Sequence, residues 1–408
     1  MTVFVLGGAQ TDFSRHWSRE GHGVFDLMRA SVTDALEASG VRAQDVGVGH
    51  VGNFTAELFC HQGQLGGMFA SIDPAFAGLP TARHEAACAS GSVALLAATA
   101  ELEAGRYEVA CVVGVEQMRN VPGDVAAAHL GVAAWDGREG SGARFLWPAM
   151  FAKIADVYAE RWGLSHAHLM QIAQKNFTNA KRNPLAQTRA WEFGPASFTE
   201  SDAHNPIVEG RLRRQDCGQL TDGAATVLLA SERFARAHAA RTGQRLEEMP
   251  RILGWGHRTA PMLLADKLAA SAGPASLLFP HVRGTLEDAW RRAGVAGVAE
   301  IDAMEVHDCF SITEYMICDH LGLAPPGEVG RAIDAGVFAR GGTLPINPSG
   351  GLIGLGHPVG ATGVRMLLDA AKQVSGGAGE MQVEGAKRVQ TLNLGGSATT
   401  LVSFVVGR

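Results

Sequence analysis

Apolar runs of strand length alternate along this chain with segments of helical period, the pattern of an α/β fold. Strands are predicted at residues 2–6, 46–51, 81–85, 109–115 and 224–230. A second series follows at 250–255, 303–306, 388–394 and 399–406. Two-faced patterns over 27–39 and 285–293 read as ordinary surface helices. The segment 91–104 is apolar nearly all round, at Val93, Leu96, Ala97 and Ala100 among others, and should be a buried helix. Between the fourth and fifth strands lies an insertion, residues 119–215, richer in Trp, Arg, Asn and Pro and helical over 149–162 and 165–182.

The two sides of this insertion look like a weak duplication. Each runs strand, helix, strand, then a buried strand ending at a cysteine-bearing turn that opens a helix. In the first half residues 81–85 lead to Cys88; in the second, 303–306 lead to His307-Asp308-Cys309. Two helix N-termini could then face each other across a pseudo-twofold axis. The expected organisation is an N-terminal half (1–118 plus 216–245), an inserted loop domain (119–215) and a C-terminal half (246–408).

Composition narrows the class. A chain of 408 residues is long enough for two or three packed units, and 46% hydrophobic with 19% charged residues suits a well-buried enzyme. A net charge of −6 leaves no electrostatic footprint for nucleic acid. No apolar stretch reaches the roughly 20 residues of a membrane-spanning helix. The N-terminal run lacks a basic n-region and the last residues match no retention or peroxisomal signal, so a cytoplasmic protein is expected. Six cysteines without paired two-residue gaps argue for free thiols rather than zinc, and no metal or permanently bound cofactor is expected. The insertion carries 12 Lys and Arg against 9 Asp and Glu, which suits either a lobe meeting a phosphorylated ligand or a solvated surface.

Four segments carry candidate chemistry. In Arg83-His84-Glu85-Ala86-Ala87-Cys88-Ala89-Ser90-Gly91-Ser92, small residues flank a cysteine placed at the start of the buried helix. A helix N-terminus favours thiolate over thiol and offers N–H donors for an oxyanion, so a lowered thiol pKa is expected; an inert core cysteine is the plainer reading. In Gly354-Leu355-Gly356-His357-Pro358-Val359-Gly360-Ala361-Thr362-Gly363, the glycines imply close backbone approach, with His357 presented to a cavity. A dinucleotide loop fails there on spacing. Glu305-Val306-His307-Asp308-Cys309-Phe310 could aim a histidine and a thiol from one turn, although a satisfied core histidine is also possible. Asn393-Leu394-Gly395-Gly396-Ser397-Ala398 marks a tight bend or a plain hairpin.

Together these segments resemble the thiolase superfamily, from about Thr2 to the C-terminus. The most specific element is Gly356-His357-Pro358 through Gly363, and Cys88 matches the family's acylated cysteine. Thr221-Asp222-Gly223-Ala224-Ala225 and residues 155–165 resemble further family segments. Many thiolases carry Asn-Glu-Ala-Phe where His307-Asp308-Cys309-Phe310 stands, and a second cysteine where Asn393 stands. Both departures are similar to the sterol-carrier-protein type, in which the cysteine of His-Asp-Cys-Phe takes the acid/base task.

The resemblance implies two similar βαβαβαββ halves packed as a five-layered αβαβα sandwich with the inserted loop domain. It implies a coenzyme A-dependent acyltransferase that cleaves 3-oxoacyl-CoA by thiolysis, or runs the reverse Claisen condensation, through a Cys88 acyl-enzyme. His307, Cys309 and His357 would be catalytic, with the backbone N–H groups of Cys88 and Gly395 as an oxyanion hole. Coenzyme A enters as substrate. Candidates for the acyl side are Met150 and Phe151, and for its phosphates Lys181, Arg182, Arg211, Arg213 and Arg214. A homodimer is expected, and an accessory subunit is an open possibility. The rival readings are a β-ketoacyl synthase using Cys88, His307 and His357, and a thiolase-like aldolase or acyltransferase working beside such a subunit.

Overall fold

The computed structural model describes residues 2–271, 273 and 276–408. The N-terminal half supplies β1 (Val3–Gln10), β2 (Val48–Gly52), β3 (Thr81–His84) and β4 (Val109–Glu116). The insertion holds a small hairpin, β5 (Ile207–Glu209) and β6 (Leu212–Arg213), and β7 (Gly223–Ser231) returns to the main sheet. The C-terminal half supplies β8 (Arg251–Thr259), β9 (Ala303–Val306), β10 (Arg388–Gly395) and β11 (Thr400–Gly407). All nine strands expected from the apolar runs are present.

The ladder runs β3–β2–β4–β7–β1–β8–β11–β10–β9. β1 and β8 meet only through Val3–Ile252 and Phe4–Arg251, so the ladder is two sheets joined at a narrow seam. In the first, β7 runs against β1 and β4 while β2, β3 and β4 are parallel. In the second, β11 runs against β8 and β10 while β9 is parallel to β10. A single parallel bridge from Met304 to Ile346 completes the second sheet as the counterpart of β3. The two strand orders then mirror each other about the seam.

Two buried helices, Ser90–Glu103 and Thr362–Ser375, fill the space between the sheets. Ala94, Leu95 and Ala98 of the first share one core with Val364, Leu367 and Leu368 of the second, and with Val112, Val227, Val402 and Phe404 of both sheets. Leu27, Met28, Val32 and Ala235 cover the outer face of the first sheet. Val282, Leu286, Ile312 and Met316 cover that of the second. The order helix, sheet, helix pair, sheet, helix is the five-layered arrangement of two similar halves.

The duplication is paired differently from the sequence expectation. β3, which leads to Cys88, corresponds to the bridge at Ile346, so the counterpart of the Cys88 turn is the loop carrying His357. β9, which leads to His307 and Cys309, corresponds instead to β2 and the turn at residues 53–55. A one-residue strand leaves no apolar run to read, which is why the equivalence was not visible in the pattern. The helices facing each other are accordingly those that follow Cys88 and His357.

Between β4 and β7 the chain forms helices Gly123–Gly131, Leu146–Trp162 and His166–Ala180. Phe151, Ile154, Tyr158, Leu169 and Ile172 pack into the same core as Ile312, Tyr315 and Met316. The insertion thus leans on the C-terminal half and brings its residues over the ends of the strands. Among the described residues no helix is long and apolar enough to cross a membrane.

Candidate active site

Cys88 lies in a single 3₁₀ turn, Ala87–Ala89, between β3 and the buried helix Ser90–Glu103. Ala87 holds φ +50°, a left-handed conformation that costs a residue bearing Cβ about 1 kcal/mol or more. The turn is tied down on both sides: Ala87 N–H donates to Glu85 Oε1 at 2.6 Å, and Ser90 Oγ donates to the Ala87 carbonyl at 2.6 Å. The strain aims the cysteine into a cavity of about 350 Å³.

His357 and His307 close on the same sulfur. Reactive atoms of Cys88, His307 and His357 all lie within 4.8 Å of one another, and the two rings meet edge to face with centroids 5.2 Å apart. Their hydrogen bonds give the rings opposite roles. Thr362 Oγ1 donates its one proton to the Pro358 carbonyl (3.0 Å), so at 2.7 Å it accepts from His357 Nδ1–H. His357 Nε2 is then a lone pair, buried and without a partner among the described residues. Conversely, Ser92 Oγ donates to Asn393 Oδ1 (2.9 Å), leaving the Asn393 amide nitrogen to donate to His307 Nδ1 at 3.0 Å. His307 Nε2 therefore carries the proton. One imidazole is a base and the other a donor.

That assignment also disfavours a metal at this spacing. Ligation through Nε2 would need the His307 lone pair on the side where its proton stands.

The ring of His357 is fixed through its backbone, where His357 N–H donates to Thr221 Oγ1 at 2.9 Å. Gly360 follows in a gap that admits no side chain: a Cβ there would meet the Val115 and Gly52 carbonyls at 2.5 and 2.6 Å. Its N–H donates to Glu116, a buried carboxylate that also accepts from Phe54 N–H, Thr55 N–H and the Asn53 amide. Burial pushes the Glu116 carboxyl up to about 7. One side chain thus joins the turn at residues 53–55 to the histidine loop.

Cys309 borders the same cavity, with its sulfur 3.6 Å from Thr313 Oγ1. Asp308 beside it points the other way, accepting from Asn176 Nδ2 (2.7 Å) and from the N–H groups of Leu352 and Ile353 (2.6 and 3.2 Å). Asn176 also donates to Glu314 (2.7 Å), which pairs with Lys175 at 2.5 Å. This buried polar network holds the insertion helix His166–Ala180 onto the turn that presents Cys309.

Electrostatics depart from expectation. Burial pushes the Cys88 thiol up to about 12, against the Gly396 and Cys88 N–H groups that favour the thiolate. Burial likewise pushes Cys309 well above the usual thiol range, with Cys88 adding to it. Burial, then the Arg365 charge, brings His357 down to about 3; burial, then His357 and Arg365, holds His307 well below its usual range. The lowered thiol read from the helix N-terminus is thus overturned, because desolvation outweighs the dipole. At rest the site holds neutral thiols and neutral imidazoles. A thiol raised this way gains thiolate only as pH climbs toward its pKa. Alkylation of Cys88 by iodoacetamide, followed by peptide mass analysis, is expected to be still rising at about pH 9–10, where an ordinary thiol of pKa ~8.5 has levelled off.

The other sequence-derived residues divide. Phe151 lines the cavity, its ring 4.7 Å from Phe310, whereas Met150, one residue away on the helix, turns into the insertion core. Lys181 pairs with Glu192 at 3.1 Å and, with Arg182, borders a separate cleft away from Cys88. Arg211 pairs with Asp156 (2.7 Å) and Arg213 with Asp202 (2.6 Å), and neither lines the Cys88 cavity. Arg214 alone borders a concavity that shares Gln219 with the Cys88 cavity. The backbone N–H on the Cys88 sulfur is that of Gly396, one residue beyond Gly395. Gly395 ends β10 and lies against the cysteine turn, where a Cβ would stand 2.2 Å from the Ala86 carbonyl. Sequence reading missed Thr362, Ser92 and Glu116, and also Cys217, which borders the cavity but turns its sulfur to the Arg213 carbonyl at 3.4 Å.

A half-buried cysteine, an imidazole with a free Nε2 lone pair, a proton-bearing imidazole and a second thiol around one cavity are the parts that covalent acyl transfer uses. Residues 3–233 match the family described as thiolase, N-terminal domain, and residues 267–408 match thiolase C-terminal domain-like. The chain belongs to the thiolase family. It is 30% identical over 407 residues to an acetyl-CoA acetyltransferase of Methanothermobacter thermautotrophicus, covering 100% of this chain and 99% of that one. It is 27% identical to sterol carrier protein 2 of Gallus gallus, covering 99% of this chain and 72% of that protein. Among solved structures, an Ltp2-ChsH2(DUF35) aldolase has a TM-score of 0.77 at 19% identity, covering 100% of this chain and 97% of that one. Human mitochondrial 3-ketoacyl-CoA thiolase has a TM-score of 0.70 at 16% identity, covering 100% and 98%. These two share the fold.

Proposed function

We propose that this acyltransferase cleaves 3-oxoacyl-CoA thiolytically, or condenses acyl-CoAs in reverse, and that its acyl groups are apolar and larger than acetyl. The observation that carries the reading is the opposite polarity of the two imidazoles around Cys88. His357 Nε2 takes the Cys88 proton and the thiolate attacks the 3-keto carbon. The oxyanion lies by the N–H groups of Cys88 and of the Gly395-Gly396 turn. As the bond between carbons 2 and 3 breaks, its electron pair passes to the thioester enolate, whose oxygen meets His307 Nε2–H and protonated His357. Cys309 protonates carbon 2, releasing acetyl-CoA. Cys309 then takes the thiol proton of a second CoA, whose sulfur collects the acyl group, and His357 returns its proton to Cys88.

Size preference follows from the cavity wall, where Phe54, Met118, Leu130, Trp147, Phe151 and Phe310 offer apolar surface that an acetyl group would leave unfilled. Each buried methylene contributes up to about 0.8 kcal/mol. Thiolysis of 3-oxooctanoyl-CoA is expected to exceed that of acetoacetyl-CoA at least about 10-fold in kcat/KM. Preference for acetoacetyl-CoA in that assay would overturn the size reading.

Of the basic candidates, Arg214 is the one proposed to meet a CoA phosphate. A homodimer is supported by β3, whose outer edge is unpaired among the described residues and open to a second copy. Six free thiols support a reducing, cytoplasmic setting. A second reading, action beside an accessory subunit, is supported by exposed Val132 and Trp135 near the cavity mouth and by the relative named for Ltp2 with ChsH2(DUF35). Thiolysis by the purified chain alone decides between the two.

A further inference from the structure

Lys267 lies inside the protein, 3% exposed, on the short helix Leu264–Ala269. Its ammonium donates to Ser397 Oγ and Thr399 Oγ1, each at 2.7 Å, and to the Met262 carbonyl at 3.2 Å. No carboxylate pairs with it among the described residues. Burial brings the amine down to about 8, with Glu139 opposing that shift. A desolvated ammonium without a carboxylate in hydrogen-bond contact is expensive, and here its three hydrogen bonds go to neutral acceptors.

What it grips is the turn between β10 and β11. Gly396 there holds φ +63° and Ala398 φ +58°; the second is a left-handed residue with a Cβ, so the turn is held against its own preference. His281 Nε2–H donates to the Ala398 carbonyl at 2.9 Å. Between these clamps, Gly396 lines the cavity beside Cys88, and Gly395 lies against the Ala86 carbonyl of the cysteine turn. Glu139, which caps Leu264 N–H at 2.7 Å, ties the same helix to the segment that leads into the cavity wall at Phe145 and Leu146.

We propose that Lys267 is a positioning residue for acyl transfer: by holding the Ser397 and Thr399 hydroxyls it fixes the turn that places Gly396 beside Cys88 in the cavity. The proposal rests on Cys88 as the acyl acceptor. Its geometry, a buried cation bonded to both sides of a strained turn, reaches the cysteine through that turn's contact with Ala86.

The test uses the full chain with Lys267→Met and, as a milder variant, Thr399→Val. Two readouts are taken per folded molecule: the pH dependence of Cys88 alkylation, and the rate of Cys88 acylation by acyl-CoA. Lys267→Met is expected to slow Cys88 alkylation about 10-fold at pH 7 and by less at pH 9, where the wild-type amine is itself largely neutral, and to slow acylation about 30-fold, with KM within about 3-fold. Thr399→Val is expected to move both in the same direction by less. If thermal stability falls in both variants while the alkylation profile and acylation rate stay at the wild-type values, Lys267 is a structural lysine and the proposal is wrong. Should Lys267→Met fail to fold, Thr399→Val decides alone. Absence of acylation in the wild-type chain would sink the thiolase reading, and the alkylation profile would still judge Lys267.

Discussion

Cys309→Ala is expected to leave Cys88 acylation by a simple acyl-CoA within about 3-fold of wild type and to reduce thiolysis of 3-oxoacyl-CoA by about 10³-fold. The split follows from where the second sulfur stands. Acylation needs the Cys88 sulfur, His357 Nε2 and the N–H groups around the turn, none of which bonds to Cys309. Carbon–carbon cleavage additionally needs a proton delivered to carbon 2, and later one removed from CoA. Cys217 borders the cavity too, but its sulfur is turned to the Arg213 carbonyl, so it cannot stand in. Acyl-enzyme formation is measured by intact mass and thiolysis by loss of the 3-oxoacyl thioester. Near-normal thiolysis in this variant would remove Cys309 from the mechanism.

The largest loss of acylation itself, short of removing Cys88, is expected from His357→Ala. With the thiol pushed up to about 12, almost none is ionised at neutral pH, and among the described residues the lone pair placed to take its proton is His357 Nε2. Acylation is expected to fall about 10³-fold, within the range that a positioned base contributes. A companion variant separates basicity from presence. Thr362→Val removes the acceptor of His357 Nδ1–H and frees the ring to take the other tautomer, so acylation should fall about 10-fold while the imidazole remains. Rapid-quench mass measurements of Cys88 read both. A His357→Ala enzyme that acylates at the wild-type rate would show that some other group is the base.

Much of this was legible in the chain because its signals are local. The central strands β4, β7 and β11 are dominated by apolar residues, and the buried helix Ser90–Glu103 is apolar nearly all round. The Gly356–Gly363 run is glycine-rich for a reason the structure makes concrete, since Gly360 sits against two carbonyls where no side chain fits. What escaped the sequence depends on distant partners. Arg211 and Arg213 look like free charges until Asp156 and Asp202 fold onto them. Met150 and Phe151 are neighbours, yet a helix turns them about 100° apart, so only one can face the cavity. The direction of the Cys88 shift was misread because a helix N-terminus is visible in sequence and the dryness around it is not. The tautomers of His307 and His357 were equally hidden, being set by Asn393 and Thr362 through single hydrogen bonds.

The account stands on Cys88 becoming the acyl carrier inside a ring of His307, Cys309 and His357. The direct measurement is the intact mass of the protein, with peptide mapping, after brief mixing with 3-oxooctanoyl-CoA in the absence of free CoA. The expected result is one equivalent of hexanoyl on Cys88, none on Cys309 or Cys217, and release of acetyl-CoA in equal amount. An unmodified Cys88, or acyl carried on another residue while the thioester is consumed, would contradict it.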